Sequence, residues 1–259
     1  MTTDTGPRAD HVAAVAGPAR PLPPREGAVV AAVSFDIWGT LVRSHRSFKA
    51  HRNEMLQEVL GLSIDPLRFD AELRRADREA DLRSEESGSD LALADRLAPA
   101  LVSLGVQGVE LGPDLVADLE RRQHDLALEM PPELLDERLP DLLRRLADLV
   151  PVGVTSNTGM LPGSTMRPLL AACDLADALS VEVFSNEVGV AKPAAGIFRR
   201  TVEGFGVPAE GIVHVGDNPV ADVDGARAAG LDVLLVAGDV PIGPAVEGLV
   251  ARAREGRQG

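Results

Sequence analysis

The sequence predicts an α/β protein built on a doubly wound parallel sheet, and two observations carry that prediction. Five short apolar runs occur along the chain, and stretches with helical character separate most of them. A strand covered by helices on both faces is apolar throughout rather than alternating. Strands that alternate with helices favour parallel pairing through helical crossovers. The predicted strands cover residues 28–35, 150–155, 180–184, 212–215 and 233–236.

A helical insert interrupts this alternation between the first two predicted strands. Residues 44–130 have apolar residues at helical spacing and no strand pattern, which predicts a cap domain of about four helices. The core domain then comprises residues 28–43 and 131–250, with predicted helices at 133–149, 194–204 and 220–229. The Pro- and Ala-rich residues 1–27 predict a disordered leader, and residues 251–259 predict a flexible tail.

Composition and charge exclude several classes of protein. The chain of 259 residues is long enough to bury a core without disulfides, and its single cysteine is Cys173. A formal net charge of −14, with six Phe, one Trp and no Tyr, disfavours nucleic-acid binding. No apolar run reaches the roughly 18 residues of a membrane span, and no signal-peptide pattern is present. We therefore expect a cytoplasmic protein with a small-molecule substrate, without nucleic-acid or membrane partners, and of undetermined oligomeric state.

Polar residues follow four of the predicted strands. Because ligands of open α/β sheets bind beyond the carboxyl ends of the strands, we expect these side chains to share one crevice. Each of them alone is also compatible with a turn or helix-capping role. Together they form a constellation of Asp36 after the first strand, Ser156 and Asn157 after the second, Lys192 beyond the third, and Asp217 and Asp222 after the fourth.

Two features of this constellation point to an anionic substrate and a cation. The chain has only two lysines, Lys49 and Lys192, against 24 arginines, so a lysine in this loop indicates that a compact point charge is needed there. Asp217 and Asp222 lie five residues apart beside a glycine turn. Such a pair of carboxylates suits a divalent cation as well as a helix cap.

At these positions the sequence resembles the haloacid dehalogenase-like (HAD) superfamily. The resemblance covers about residues 29–236, implies a Rossmann-like core, and places the insert where the family carries a helical cap of type C1. Its motifs are similar to Asp36-x-x-Gly39-Thr40-Leu41, to Ser156 at a strand end, to Lys192-Pro193, and to Gly216-Asp217 followed by Asp222.

The resemblance implies a role for each of these residues. Asp36 would be the nucleophile and form an aspartyl-phosphate or aspartyl-ester intermediate. Lys192 and Ser156 would hold the transferring anion, and Asn157 and Thr40 would contact the substrate. A Mg²⁺ ion would be held by Asp36, the backbone carbonyl of Trp38, Asp217 and, as a supporting carboxylate, Asp222.

Trp38 departs from the pattern of the family's phosphatases. They carry an acid two residues after the nucleophile, and an indole cannot act as a general acid. The family's 2-haloacid dehalogenases instead have Asp-x-Tyr-Gly-Thr there, which favours a metal-free dehalogenase as the alternative, with Arg74 or Arg75 as a candidate halide ligand. Since Asp217 lies where dehalogenases have no such acid, the prediction is a Mg²⁺-dependent phosphohydrolase. His45 is a candidate substitute acid, and a non-catalytic binding protein is the third hypothesis.

Overall fold

The centre of the molecule is a parallel sheet, and this confirms the predicted α/β class. The computed structural model describes residues 29–236 and 240–258. Within them, five strands form the sheet in the order β5-β4-β1-β6-β7, and β2 and β3 form a separate antiparallel ribbon. The strands are β1 (Ala32–Phe35), β2 (Val42–Arg43), β3 (Glu133–Leu134), β4 (Val152–Ser156), β5 (Val181–Phe184), β6 (Ile212–Gly216) and β7 (Asp232–Leu235).

Helices cover both faces of the sheet and also build the insert. Short 3₁₀ turns at Ala176–Ala178 and Ala209–Gly211 and a π-helical turn at Pro219–Asp224 complete the regular structure of the described residues. The helices are α1 (Phe48–Val59), α2 (Pro66–Ser87), α3 (Leu93–Ser103), α4 (Pro113–Glu129), α5 (Leu139–Ala147), α6 (Gly163–Ala172), α7 (Ser185–Val188), α8 (Ala195–Phe205), α9 (Gly225–Ala228) and α10 (Ile242–Gln258).

The alternation of side chains along β1 explains why the sheet is covered on both sides. Val33 and Phe35 belong to the apolar cluster formed with α5, α6 and α10. Ala32 points to the opposite face, where it belongs to the cluster formed with α8 and α9. Successive strand residues face opposite sides, so burial on both faces requires a continuous apolar run. That is the pattern on which the fold prediction rests.

The insert has a core of its own. Residues of α1 to α4, among them Leu56, Phe69, Leu97 and Leu119, form an apolar cluster separate from those of the sheet. The insert also docks on the core domain, because the Ala191 amide donates to the Gly88 carbonyl (3.0 Å) and the Ser185 hydroxyl to the Asp90 carboxylate (2.6 Å). The four helices therefore stand over the carboxyl end of the sheet.

Three local predictions differ from the structure. The helix predicted at 133–149 is shorter, since Glu133–Leu134 pairs with β2 and α5 begins at Leu139, with Pro140 in its first turn where the ring is tolerated. The segment 220–229 is divided between the π-helical turn and α9. The tail predicted from residue 251 is wrong for residues 251–258, which continue α10, because buried Ala253 extends the apolar face of Val246, Leu249 and Val250.

Two further expectations concern the ends of the chain and membranes. The leader predicted at residues 1–27 lies outside the described residues. Among the helices in the described ranges, none is long and apolar enough to cross a membrane.

Candidate active site

The sheet brings the strand-end residues together around the Asp36 carboxylate. Asp36 follows β1, and its backbone amide is held by the Val215 carbonyl of β6 at 2.8 Å. Lys192 Nζ donates to Asp36 Oδ1 at 2.6 Å, and Ser156 Oγ donates to the same oxygen at 3.0 Å. Neighbouring parallel strands end at one edge, so residues far apart in sequence meet there. Asp36 is thus in direct contact with Ser156 and with Lys192 in the crevice where the sequence places them, and their catalytic roles stay a prediction.

Lys192 is a buried cation held between two carboxylates. Its Nζ also donates to Asp222 Oδ1 at 2.6 Å, and its side chain is almost wholly buried. Burial alone disfavours the ammonium form, but the charges of Asp222 and Asp36 outweigh this effect and raise the pKa of Lys192 above its usual range. Lys192 therefore stays charged, and it orients Asp36 rather than acting as a base.

The two carboxylates respond to this cation differently. Burial would raise the pKa of Asp222, but Lys192 and the hydrogen bond from His214 lower it below its usual range. For Asp36, burial dominates, and its pKa is raised despite the opposing charge of Lys192. A cation near Asp36 would favour the ionised form that a nucleophile needs.

Asn157 holds the backbone of Lys192. Its side-chain oxygen accepts from the Lys192 amide at 2.8 Å, and its Nδ2 donates to the Lys192 carbonyl at 3.1 Å. Asn157 also lines the cavity described below. Because both ends of its amide group are engaged, its observed role is to position Lys192, and the predicted substrate contact stays a prediction.

Asp217 completes a group of three carboxylates. One oxygen each from Asp36, Asp217 and Asp222 lies within 4.8 Å of the others. Burial, followed by the charges of Asp36 and Asp222, raises the pKa of Asp217 to about 6. Carboxylate oxygens are the donors that Mg²⁺ prefers, and a cation would relieve the repulsion that raises this pKa. The donor set therefore fits a hard divalent cation.

Gly39 leaves the room that Asp217 occupies. Its φ of +79° is a left-handed conformation that favours glycine. A Cβ at this position would lie 2.4 Å from Asp217 Oδ2. The glycine of the first motif is therefore required both by the turn after β1 and by the carboxylate packed against it.

A chain of buried polar side chains supports Asp222 from beneath. His214 Nε2 lies 3.2 Å from Asp222 Oδ1, and His214 Nδ1 lies 3.2 Å from Ser34 Oγ. The chain continues through Thr155 to Thr201, with oxygen separations of 2.7 and 2.6 Å. The sequence pattern does not single out His214, because a histidine within an apolar run gives no sign of its partners. The structure shows that it contacts the site.

A cavity of about 480 Å³ lies between the insert and the carboxyl end of the sheet. Asp36, Asn157, Lys192, Asp217 and Asp222 line it on the core side. Trp38 also lines the cavity and packs, partly buried, against the apolar core. The predicted role of its backbone carbonyl as a Mg²⁺ ligand stays a prediction.

Four predicted candidates lie away from this cavity: Thr40, His45, Arg74 and Arg75. The Thr40 side chain is fully buried and does not line the cavity, which gives no support to the predicted substrate contact. His45 lines a smaller apolar pocket on the other side of Trp38, and its Nδ1 accepts from the Ser47 amide at 3.3 Å. Arg75 is paired with Glu72 and Glu79 along α2, as expected for a solvated helix face. The linear motifs do not reveal the burial of Thr40 or the local partners of His45 and Arg75.

The insert supplies cavity residues that sequence reasoning missed. Lys49 and Arg52 of α1 and Glu85 of α2 line the same cavity. Glu85 Oε1 accepts from Asn218 Nδ2 at 3.1 Å, which links the insert to the turn after β6. In a helical segment with many charges, the solvent-facing and cavity-facing residues are distinguishable only after the helices are packed.

The fold and the site together define a hydrolase of the doubly wound α/β class with a helical cap. A family model described as haloacid dehalogenase-like hydrolase matches residues 30–230. The chain therefore belongs to the haloacid dehalogenase-like hydrolases, as the four motifs predicted.

Individual relatives carry different activities in their names. A phosphoserine phosphatase of Thermus thermophilus is 43% identical over 70 residues, which are 27% of this chain and 28% of that protein. YfnB of Bacillus subtilis, a HAD hydrolase solved with bound magnesium, has a TM-score of 0.63 at 20% identity and covers 83% of this chain and 92% of its own. The L-2-haloacid dehalogenase of Xanthobacter autotrophicus, with chloropropionic acid covalently bound, has a TM-score of 0.55 at 19% identity, covering 81% and 78%. The structural likenesses show the fold, and the curated match spans little more than a quarter of its relative.

Proposed function

We propose that this hydrolase is a Mg²⁺-dependent phosphatase that acts on a small phosphorylated metabolite through an aspartyl-phosphate at Asp36. The observation that carries the proposal is the carboxylate group itself. Three acids lie within 4.8 Å beside a single buried lysine, so the cluster has an excess of negative charge that a bound cation would offset. The name of the Thermus relative agrees with a phosphate ester as substrate.

The reaction that fits this arrangement has two steps. An oxygen of the Asp36 carboxylate attacks phosphorus, and the bond from phosphorus to the leaving oxygen breaks. Water then hydrolyses the acyl phosphate, which releases phosphate and restores Asp36. Lys192 neutralises charge on the phosphoryl oxygens while it holds Asp36, and the Ser156 hydroxyl is the nearby hydrogen-bond donor.

The proposal also names the groups that would hold Mg²⁺. Asp36, Asp217 and the Trp38 carbonyl would hold the ion, which supplies neutralisation of phosphoryl charge when bound. Asp222 supports the site from outside, because its Oδ1 already accepts from Lys192 and lies 3.2 Å from His214, and its Oδ2 accepts from the Asn218 amide at 2.9 Å. This makes Asp222 a supporting carboxylate through Lys192.

The absence of an acid at Trp38 shapes the expected substrate range. General acid catalysis typically contributes roughly 10² to 10⁴-fold in rate, and an indole cannot supply it. Protonation of the leaving oxygen is then left to water, to the substrate or to a residue of the cap. The enzyme should favour esters whose leaving group departs without a proton.

The test is p-nitrophenyl phosphate hydrolysis by the wild type with Mg²⁺, with EDTA, and by Asp36→Asn. This ester has a good leaving group, so Trp38 does not mask the reaction. We expect phosphate release that needs Mg²⁺ and is lost in Asp36→Asn. Release that persists in EDTA, or in Asp36→Asn prepared free of host phosphatases, would contradict the mechanism.

A 2-haloacid dehalogenase is the second candidate, and Trp38 favours it. A departing halide needs no proton, so an aromatic residue at this position is compatible with ester formation at Asp36. This candidate predicts halide release from 2-haloacids in EDTA. If the protein releases neither phosphate nor halide, the third hypothesis, a non-catalytic binding protein, is favoured.

A further inference from the structure

Two arginines of the insert are buried, and they differ in their partners. Arg96 pairs with Asp77 at 3.0 Å and with Asp81 at 2.8 Å. Arg52 is 6% exposed and, within the described ranges, forms no ion pair. Its hydrogen bonds go to neutral atoms, with Nε and Nη2 donating to Asn53 Oδ1 and Nη1 to Met160 Sδ. The carboxylates of Asp77 and Asp70 act on Arg52 only from beyond ion-pair distance and compensate its burial in part, so the charge of a ligand would stabilise this buried cation further.

The guanidinium of Arg52 retains donors for a ligand. A guanidinium carries five N–H donors, and the contacts to Asn53 and Met160 use three of them. Arg52 lines the cavity that also contains Asp36 and Lys192. Burial lowers the pKa of Arg52, and Asp77 and Asp70 oppose that effect without cancelling it. An anion placed in the cavity would satisfy both the free donors and the charge.

Lys49 adds a second cation to the same wall. It stands three residues before Arg52 on α1, and both side chains line the cavity, as neighbours on one helix face do. The other charged residues that the insert and its ribbon bring to the cavity are engaged elsewhere. Arg43 pairs with Glu133, Asp77 and Asp81 pair with Arg96, and Glu85 accepts from Asn218.

We propose that Arg52 and Lys49 form an anion subsite for a second acidic group of the substrate. The substrate is then a phosphate monoester that carries a carboxylate or a second phosphate in addition to the phosphoryl group facing Asp36. A planar guanidinium with parallel donors suits either group, and Lys49 adds a point charge. This inference rests on the proposed phosphatase function and specifies its substrate class.

Two matched substrate pairs test the proposal and separate the two sources of the anion. L-Phosphoserine and O-phosphoethanolamine differ by a carboxylate, and a hexose bisphosphate differs from its monophosphate by a phosphate. Both pairs are alkyl esters with poor leaving groups, so binding to the inactive Asp36→Asn protein is compared within each pair as well as the rate. We expect the more acidic member of one pair to be preferred by about tenfold to one hundredfold in Kd and, for the wild type, in kcat/KM, because a hydrogen bond to a charged group has roughly that effect. The pair that shows the preference identifies the anion.

Variants then assign the preference to the subsite. Arg52→Gln should abolish it, Arg52→Lys should retain part of it, and Arg46→Gln is the matched control, since Arg46 is exposed and does not line the cavity. Binding to the inactive Asp36→Asn protein, measured by calorimetry with and without Arg52→Gln, should show the same difference. Circular dichroism checks that Arg52→Gln is folded. If Arg52→Gln is not folded, Lys49→Gln, a substitution at an exposed residue, tests the same loss of preference.

The outcomes are distinct for the two proposals. The anion subsite is overturned if kcat/KM is equal within both pairs, or if the preference persists in Arg52→Gln. In that case, Mg²⁺-dependent hydrolysis of p-nitrophenyl phosphate still supports the phosphatase proposal. Failure of the wild type to hydrolyse p-nitrophenyl phosphate with Mg²⁺ would overturn the phosphatase proposal and this inference with it.

Discussion

At the scale of single residues, Asp217 carries the repulsion that a cation would relieve. It is partly buried beside two other carboxylates, and its pKa is raised to about 6 by burial and then by Asp36 and Asp222. Between the ordinary value of 3.8 and about 6, the folded state keeps a proton that the unfolded state has lost. The free energy of unfolding therefore falls as pH rises through this window, and above it the contribution of Asp217 changes no further.

Asp217→Asn should thus stabilise the metal-free protein at pH 7.5, by on the order of 1 kcal/mol after allowance for solvent screening. The same substitution should abolish Mg²⁺-dependent activity. Urea denaturation in EDTA at pH 7.5 and pH 5 measures the effect, which should shrink at the lower pH. An equal effect at both pH values would show that the charge of Asp217 is not its source.

Trp38→Asp should restore a general acid at the position where the chain has an indole. Because Trp38 lines the cavity, an acid there would face the substrate. We expect kcat on an alkyl phosphate to rise about tenfold or more, with little change on p-nitrophenyl phosphate. Trp38→Asn is the control, since it has the same shape as the aspartate variant but no acid. Equal rates for the two variants on the alkyl phosphate would argue against this explanation.

At the scale of elements, the turns and loops at the carboxyl edge of the sheet position the groups proposed as catalytic. The turn after β1 contains Gly39. The carboxylate of Asp217, from the turn after β6, occupies the volume that a side chain at Gly39 would fill. The loop between α7 and α8 contains Lys192, and Asn157, just after β4, holds its backbone. The position of each of these residues therefore depends on a residue of another element.

Gly39→Ala should displace Asp217 and weaken the response to Mg²⁺. The matched control is Gly61→Ala, because Gly61 has a similar φ of +64° against +79°, and a Cβ there meets nothing within 4 Å. Both variants should lose about 1–2 kcal/mol of stability from the left-handed backbone. Only Gly39→Ala should lose activity at limiting Mg²⁺, measured as the Mg²⁺ concentration that gives half-maximal rate. A similar loss in Gly61→Ala would attribute the effect to strain alone.

At the scale of the whole molecule, two apolar cores meet at one charged cavity. The sheet and the insert are each stabilised by their own clusters, and acids from both domains line the space between them. The chain carries a formal net charge of −14, so its acidic cavity lies within a field that attracts cations. Cation binding should therefore affect the stability of the folded protein as well as its chemistry.

Mg²⁺ should raise the thermal unfolding midpoint of the wild type. A ligand at one hundred times its Kd stabilises the folded state by about 2.7 kcal/mol, which for a domain of this size corresponds to several degrees. The midpoint in Mg²⁺ and in EDTA, measured by calorimetry at constant ionic strength, checks this. Asp217→Asn should show no increase, and an increase of the same size in that variant would place the cation elsewhere.

The sequence by itself determined the sheet, the helical insert and the convergence of the polar residues at the strand ends. Buried parallel strands leave continuous apolar runs, and the residues after them meet at one edge because all the strands point the same way. The convergence of five residues was therefore predictable from their positions alone: Asp36, Ser156, Lys192, Asp217 and Asp222. Their convergence needed no knowledge of the helices.

Only the tertiary structure decided which side chains outside these strand ends face the cavity. Lys49 and Arg52 lie among many charged residues of the insert, and packing alone distinguishes them from Arg75, which faces solvent. The buried contact of His214 with Asp222 and the burial of Thr40 also depend on neighbours distant in sequence. A pattern along the chain records which face of an element is apolar. It does not record which polar groups of other elements will lie next to that face, because the packing of helices against the sheet sets the distances between them.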